Sequence, residues 1–267
     1  MNNKLAARRR SPIFAVVLML LALTFTGTAY AVIKPAAPQE QAVWAGTAQL
    51  AEEGKKLFLA NCASCHGTNA EGNGTAGPSL VGVGEASVQF QVGTGRMPLA
   101  KPGVQAPRGD KVLFSQEEID QLSSYVDSLG GGPGLPEAQF LDLEGADIAE
   151  GGKYFRTNCA MCHNSAGAGG ALTRGKYAPS LMGVSAEHIY TAMLTGPQSM
   201  PVFNDSNIAP QEKENIIAFL KNIEEGGNDY GGHSLGALGP AGDAMFAWTF
   251  GIGLLVAIAV WIGRKAA

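Results

Sequence analysis

The two ends of this 267-residue chain lack acidic residues: all 23 Asp and Glu lie within residues 35–243. The ends hold seven of the 19 basic residues, Lys4, Arg8, Arg9, Arg10, Lys34, Arg264 and Lys265. The stretch between them has 12 basic against 23 acidic residues, so its net charge is −11, whereas the whole chain is −4. An acidic body with basic ends excludes a nucleic-acid binder, so no nucleic-acid partner is expected. Glycine (36) and proline (14) together fall below the ~25–30% that marks low-complexity chains, and 46% hydrophobic residues exclude disorder as a global description. Strand-like alternation is scarce, and only four cysteines are present. The length itself suggests about two domains, at ~150 residues each.

Charge is also missing from two long apolar runs. Residues 244–262 read AMFAWTFGIGLLVAIAVWI, with Thr249 the only polar side chain and Trp248 and Trp261 near the ends. About 20 such residues span a ~30 Å hydrocarbon core, and Arg264-Lys265 closes the run, so a transmembrane helix is expected over 244–262 and a cytoplasmic C-terminus over 263–267. Residues 13–32 follow the basic cytoplasmic segment 1–12. Their strongly apolar part is about 13 residues, and Ala29-Tyr30-Ala31 has the small-x-small form of a cleavage site, so both a retained anchor and a signal peptide are open. In either case positive charge at both ends places the acidic body on the extracytoplasmic side of the cell membrane.

The body is one module written twice. A Gly stands eight residues, and a Phe four, before the first Cys of each copy: Gly54, Phe58 and Cys62, then Gly151, Phe155 and Cys159. Pro78-Ser79-Leu80 returns as Pro179-Ser180-Leu181, and Met97-Pro98 as Met200-Pro201. Each copy closes on an amphipathic helical pattern. The first is 116–129 (Ile119, Leu122, Tyr125, Val126, Leu129), with Ser115 as N-cap; the second is 211–223 (Ile216, Ile217, Phe219, Leu220, Ile223). The modules are assigned to 46–130 and 151–225. A helix-breaking, acidic linker, 131–150, separates them and carries five carboxylates; a Gly-rich tether, 226–243, follows the second.

The chemistry lies in the cysteines. Cys62-Ala63-Ser64-Cys65-His66 and Cys159-Ala160-Met161-Cys162-His163 are both C-x-x-C-H, the attachment signature of c-type haem. Two thiols three positions apart on a helical turn face one way and can form thioethers to both vinyl groups, while the adjacent His reaches the iron. A redox C-x-x-C pair needs no following His, and no thioredoxin-like βαβ pattern is present. A four-Cys zinc site would have to join pairs 97 residues apart. Two disulfides would leave the paired histidines unexplained. Two covalently bound haems are therefore expected, with His66 and His163 as proximal ligands. Met97 and Met200 stand 31 and 37 residues after those histidines, at equivalent repeat positions and each before a Pro; they are the candidate distal ligands. His188, in a helical pattern, and His233, in the tether, are read as structural or surface residues.

Each module resembles a class I cytochrome c, which implies a mainly α fold of two tandem domains. By that resemblance Gly54 and Gly151 let the closing helix cross closely at Tyr125 or Phe219. The carbonyls of Pro78 and Pro179 accept the proximal His N–H, a bond that sets tautomer and basicity. Asn164 departs from the pattern, standing where the first copy has Gly67. The whole chain resembles the dihaem cytochrome c subunit of the actinobacterial cytochrome bcc complex, a menaquinol–cytochrome c reductase. The strings carrying this are GPSLVGV (77–83), FQVGTGRMP (90–98), GGALTRGKYAPS (169–180), AMLTGPQSMP (192–201) and GGHSLGALGP (231–240). The resemblance implies a relay, with a Rieske iron–sulfur subunit beside cytochrome b as donor to the first haem. The second haem then serves the copper centre of a terminal oxidase, and quinol chemistry lies on other subunits. A free membrane-tethered carrier would share these modules. A haem-based sensor would need an open sixth position, which the paired Met-Pro motifs oppose.

Overall fold

The structure, a computed structural model, describes residues 12–33, 39–101, 103–227 and 240–266. The basic cluster at 4–10, Lys34, His233 and most of the tether lie outside the described residues. The chain divides into two compact units, Met1–Gln49 and Leu50–Ala267. In the first, helix α1 (Pro12–Ile33) carries exposed apolar side chains such as Ile13, Leu18 and Phe25. Helix α2 (Gln39–Asn61) starts in the first unit and runs into the second.

The second unit holds two helical modules of the same order. In the first, the end of α2 is followed by the turn α3 (Ala63–His66), then α4 (Glu85–Gly93) and α5 (Gln116–Ser128). In the second, α6 (Ile148–Asn158), the turn α7 (Ala160–His163), α8 (Ala186–Thr195) and α9 (Pro210–Glu224) repeat that order. The only strands among the described residues are β1 (Gly170–Ala171) and β2 (Tyr177–Ala178), paired antiparallel. The scarcity of alternation in the sequence thus corresponds to a fold of helix and loop.

Helix starts follow from local chemistry. Ser115 is the N-cap of α5 in a full capping box. Its hydroxyl accepts from the Glu118 N–H (3.3 Å), and the Glu118 carboxylate accepts from the Ser115 N–H (2.8 Å). At α9 the N-cap is Ala209, which has no side-chain acceptor, and Pro210 opens the helix instead. Only the return bond is present there, from the Ala209 N–H to Glu212 at 2.7 Å.

The opening and closing helices of each module cross where glycine removes the side chain. A Cβ on Gly54 would overlap the Gln121 carbonyl oxygen, and one on Gly151 would overlap that of Asn215. Phe58 then packs at 5.3 Å on Tyr125, and Phe155 at 5.5 Å on Phe219. Both phenylalanines are fully buried, which contributes about 1.5–3 kcal/mol each. Asn164 takes φ 69° and ψ 159°, the same backbone as Gly67 (81° and 157°), a region that glycine adopts freely and a side chain only under strain, so the departure keeps the turn at a local cost.

The stretch between the modules is packed. The Ala86 N–H donates to the Pro133 carbonyl (3.0 Å), Phe140 stacks on Tyr190, and Leu141 and Leu143 join the second core. Asp147 caps α6 through the Glu150 N–H. The modules also touch directly. Helix α4 packs on α8, and Gln105 bonds Tyr177 twice, its amide nitrogen donating to the carbonyl and its oxygen accepting from the N–H, both at 2.9 Å. His188 sits in this contact, edge-on to Phe90 with centroids 6.3 Å apart.

At the C-terminal end α10 (Pro240–Phe246), a π-helical segment (Ala247–Ile252) and α11 (Gly253–Ala266) follow one another. Within them, Ala244–Lys265 is the one helix among the described residues long and apolar enough to cross a membrane. Its apolar side chains, Trp248, Leu254 and Ile262 among them, are exposed, so it is not a core helix of this chain.

Candidate functional site

Each C-x-x-C-H motif folds as a single turn at the end of its module's opening helix. The N–H groups of Cys65 and His66 donate to the Cys62 carbonyl at 3.1 and 3.0 Å; Cys162 and His163 bond Cys159 at 3.1 and 2.9 Å. This turn brings both cysteines and the histidine together within five consecutive residues. None of the four cysteines is paired in a disulfide. Burial, and then the neighbouring thiol of each pair, pushes Cys62 and Cys159 up to about 11. Among the described residues no three His, Cys, Asp or Glu side chains group as a bare metal site.

Both histidines are buried and held alike. The Nδ1 of His66 lies 2.8 Å from the Pro78 carbonyl oxygen, and that of His163 lies 3.0 Å from Pro179. A carbonyl only accepts, so Nδ1 carries the proton and Nε2 is the nitrogen left for a metal. Burial lowers the pKa of His163, partly offset by the Pro179 carbonyl, which favours the neutral ligand form.

The methionine loops are tied to the helix before them. The Met97 N–H donates to the Gln91 carbonyl at 2.9 Å. The Met200 N–H bonds Pro197, and Phe203 closes the loop on Met193 (2.7 Å). In the first module Cys62 and Met97 pack against the same apolar cluster, which includes Phe58, Val88 and Tyr125. In the second, a cavity of about 240 Å³ brings together Cys159, Cys162, His163, Pro179 and Met200, five residues the repeat pattern singled out. Its other walls are largely apolar, with Phe155, Leu181, Ile189 and Leu220. Two thiols, an imidazole with Nε2 free, a thioether and a dry wall form the donor set and surroundings that fit a covalent haem.

Two features of this region escaped the spacing of the sequence. Arg96, Gln105 and Arg108 of the first module line the second module's cavity. Lys213, in the first turn of α9, is 0% exposed; its ammonium bonds Asp205 (2.6 Å) and the Ile208 carbonyl (2.7 Å), fastening the loop that follows Met200. Alignment of the two closing helices carries a signal for Lys213, since it falls on the core position Ile119. No sequence signal marks Arg96 as an intermodule residue.

Comparison with known proteins gives two family matches and several full-length relatives. Residues 51–130 match the family described as Cytochrome c, and residues 146–220 match Cytochrome C oxidase, cbb3-type, subunit III. The chain is 44% identical over 270 residues to the cytochrome bc1 complex cytochrome c subunit of Mycobacterium bovis, covering 99% of this chain and 95% of that one. It is 40% identical over 280 residues to the subunit so named in Corynebacterium diphtheriae, covering 99% of each. A shorter likeness, 41% over 93 residues, is to the cbb3-type cytochrome c oxidase subunit FixP of Sinorhizobium medicae; it covers 31% of this chain and 29% of that one.

Proposed function

The chain belongs to the family of cytochrome bc1 complex cytochrome c subunits, and on that premise we propose that it is a two-haem electron relay within a membrane quinol–cytochrome c reductase. The observation that carries two haems is the duplicated proximal arrangement: a buried His with Nδ1 on a Pro carbonyl, at the end of a C-x-x-C-H turn, in both modules. Cys62 and Cys65 would hold one haem through thioethers, with His66 and Met97 on its iron. Cys159, Cys162, His163 and Met200 would do the same for the other. Bound haem supplies a one-electron Fe(III)/Fe(II) couple, whose potential His/Met ligation raises over bis-His.

The remaining work belongs to the chain's own residues. Pro78 and Pro179 orient the imidazoles and strengthen them as ligands. Phe155, Leu181 and Leu220 exclude water from the second site. Both iron positions would be filled by side chains, which favours electron transfer over binding of small ligands. The direction we propose is from a Rieske iron–sulfur subunit beside cytochrome b to the first module, and from the second to a copper-containing terminal oxidase. The likeness of residues 146–220 to an oxidase subunit family supports the second module as the oxidase side. Helix Ala244–Lys265 would anchor the chain, and the basic residues at both ends support placing both modules on the extracytoplasmic face.

Purification in mild detergent with visible and EPR spectroscopy tests this assignment. Co-purification of b-type haem, a Rieske signal and a copper oxidase with two c-type haems per chain is the expected result. A c-type signal alone refutes the complex and leaves a tethered carrier. Replacing Cys65 or Cys162 with Ala should remove normal covalent haem from one module only; two intact c-type haems in either variant would refute the motif assignment.

A further inference from the structure

Arg96 is a buried cation with no counter-charge among the described residues. It is 8% exposed, and its guanidinium lies 4.7 Å over the Phe90 ring. Among the described residues it forms no ion pair and no side-chain hydrogen bond. Arg108 and, across the module contact, His188 line the same cavity as Arg96. Two guanidiniums and an imidazole therefore share a cavity whose walls carry no Asp or Glu among the described residues. A buried charge in that state is costly unless an anion joins it. The same two arginines line the cavity that holds Cys159, Cys162, His163 and Met200.

We infer that Arg96 and Arg108 of the first module form the binding site for the carboxylate groups of the haem carried by the second module. This rests on the second module's being a haem site. A haem brings two carboxylates, which are the missing anions, and guanidinium recognises carboxylate in a planar, two-point fashion that ammonium does not match. The second site is then complete only when the first module is docked, and the Gln105–Tyr177 pair beside the arginines fixes that docking. Positive charge there also favours Fe(II) in the second module.

Redox titration of the detergent-solubilised full chain, followed optically, tests the assignment. The variants Met97→His and Met200→His, each lowering one potential, identify which transition belongs to which haem. Arg96→Gln is expected to lower the second haem's potential by about a tenfold change in its Fe(III):Fe(II) ratio, or about 59 mV for one electron. Arg96→Lys should recover part of this. The exposed Arg108→Gln, which puts no demand on folding, should shift the same haem in the same direction by less. An unchanged second potential in both Gln variants, or a shift confined to the first haem beside Met97, overturns the proposal. A second potential that depends on phosphate concentration at constant ionic strength, and loses that dependence in Arg96→Gln, also overturns it, because the anion is then one from solvent. Haem quantification separates the two layers: fewer than two haems in the unmodified chain defeats the two-haem reading and this proposal together. Two haems with unmoved potentials defeats the proposal alone.

Discussion

Ile119 and Lys213 occupy the same place in the closing helices of the two modules. Each stands two residues before the one whose carbonyl meets the opening helix's glycine, Gln121 over Gly54 and Asn215 over Gly151. Ile119 is an ordinary core residue, 2% exposed. Lys213 is buried as deeply, yet it spends its ammonium on Asp205 and Ile208 in the loop after Met200. The neighbouring Asn215 likewise accepts the Asp147 N–H at the start of α6. What stays constant between the modules is the helix crossing and the His–Pro bond. What varies is how the distal loop is secured. The comparison teaches that the frame admits polar or apolar fastening as long as the glycine contact and the proximal turn are kept.

The largest expected effect tests the shared part. Gly54→Val and Gly151→Val each force a side chain into the backbone of the crossing helix, costing about 3 kcal/mol or more. Thermal melts with haem quantification should show loss confined to the module altered; tolerance in either would mean the crossing is not a common requirement. Lys213→Met tests the divergent part. It leaves the Ile208 carbonyl without its donor, while Asp205, 59% exposed, regains water, so a cost of about 1–2 kcal/mol is expected by denaturant titration. A rise in the second module's affinity for carbon monoxide would show that the loop clamp also holds Met200 in place.

Exchange of the helix caps should sharpen the comparison more gently. Ser115→Ala is expected to cost about 1 kcal/mol, and Ala209→Ser to add about 0.5–1 kcal/mol at the helix that lacks a side-chain cap. The smallest effect is a pH dependence. The Ser115 N–H and hydroxyl hold the Glu118 carboxyl below its usual value of 4.5. A carboxylate with a depressed folded pKa stabilises above its unfolded value, and that contribution is lost as pH falls through the folded one. Acid titration of helicity in Glu118→Gln should therefore be flatter below pH 4.5 than in the parent chain.

Much of the site was legible because its chemistry is local. A C-x-x-C-H turn, a Pro sixteen or twelve residues later and a Ser before a helical stripe all act within one module, and the repeat itself aligns the two methionines. The residues that were not legible act across distance. Lys213 lies in the string Pro210-Gln211-Glu212-Lys213-Glu214, which has the look of a solvated first turn, because periodicity assigns polar residues outward. The Gln105–Tyr177 pair joins residues 72 apart. Glycines and prolines at 130–136 mark a break in helix but do not say that the chain beyond it packs, since Phe140 and Leu143 reveal their partner only in three dimensions.

The contact of α4 with α8 joins the same element of each copy. A surface that meets its own counterpart is the signature of two-fold association, as between identical subunits. In this tandem the matched helices meet as two identical subunits would, while Gln105 and Tyr177 come from non-equivalent loops. Duplication within one polypeptide therefore leaves each copy free to build its own half of the seam, which a pair of identical chains could not do.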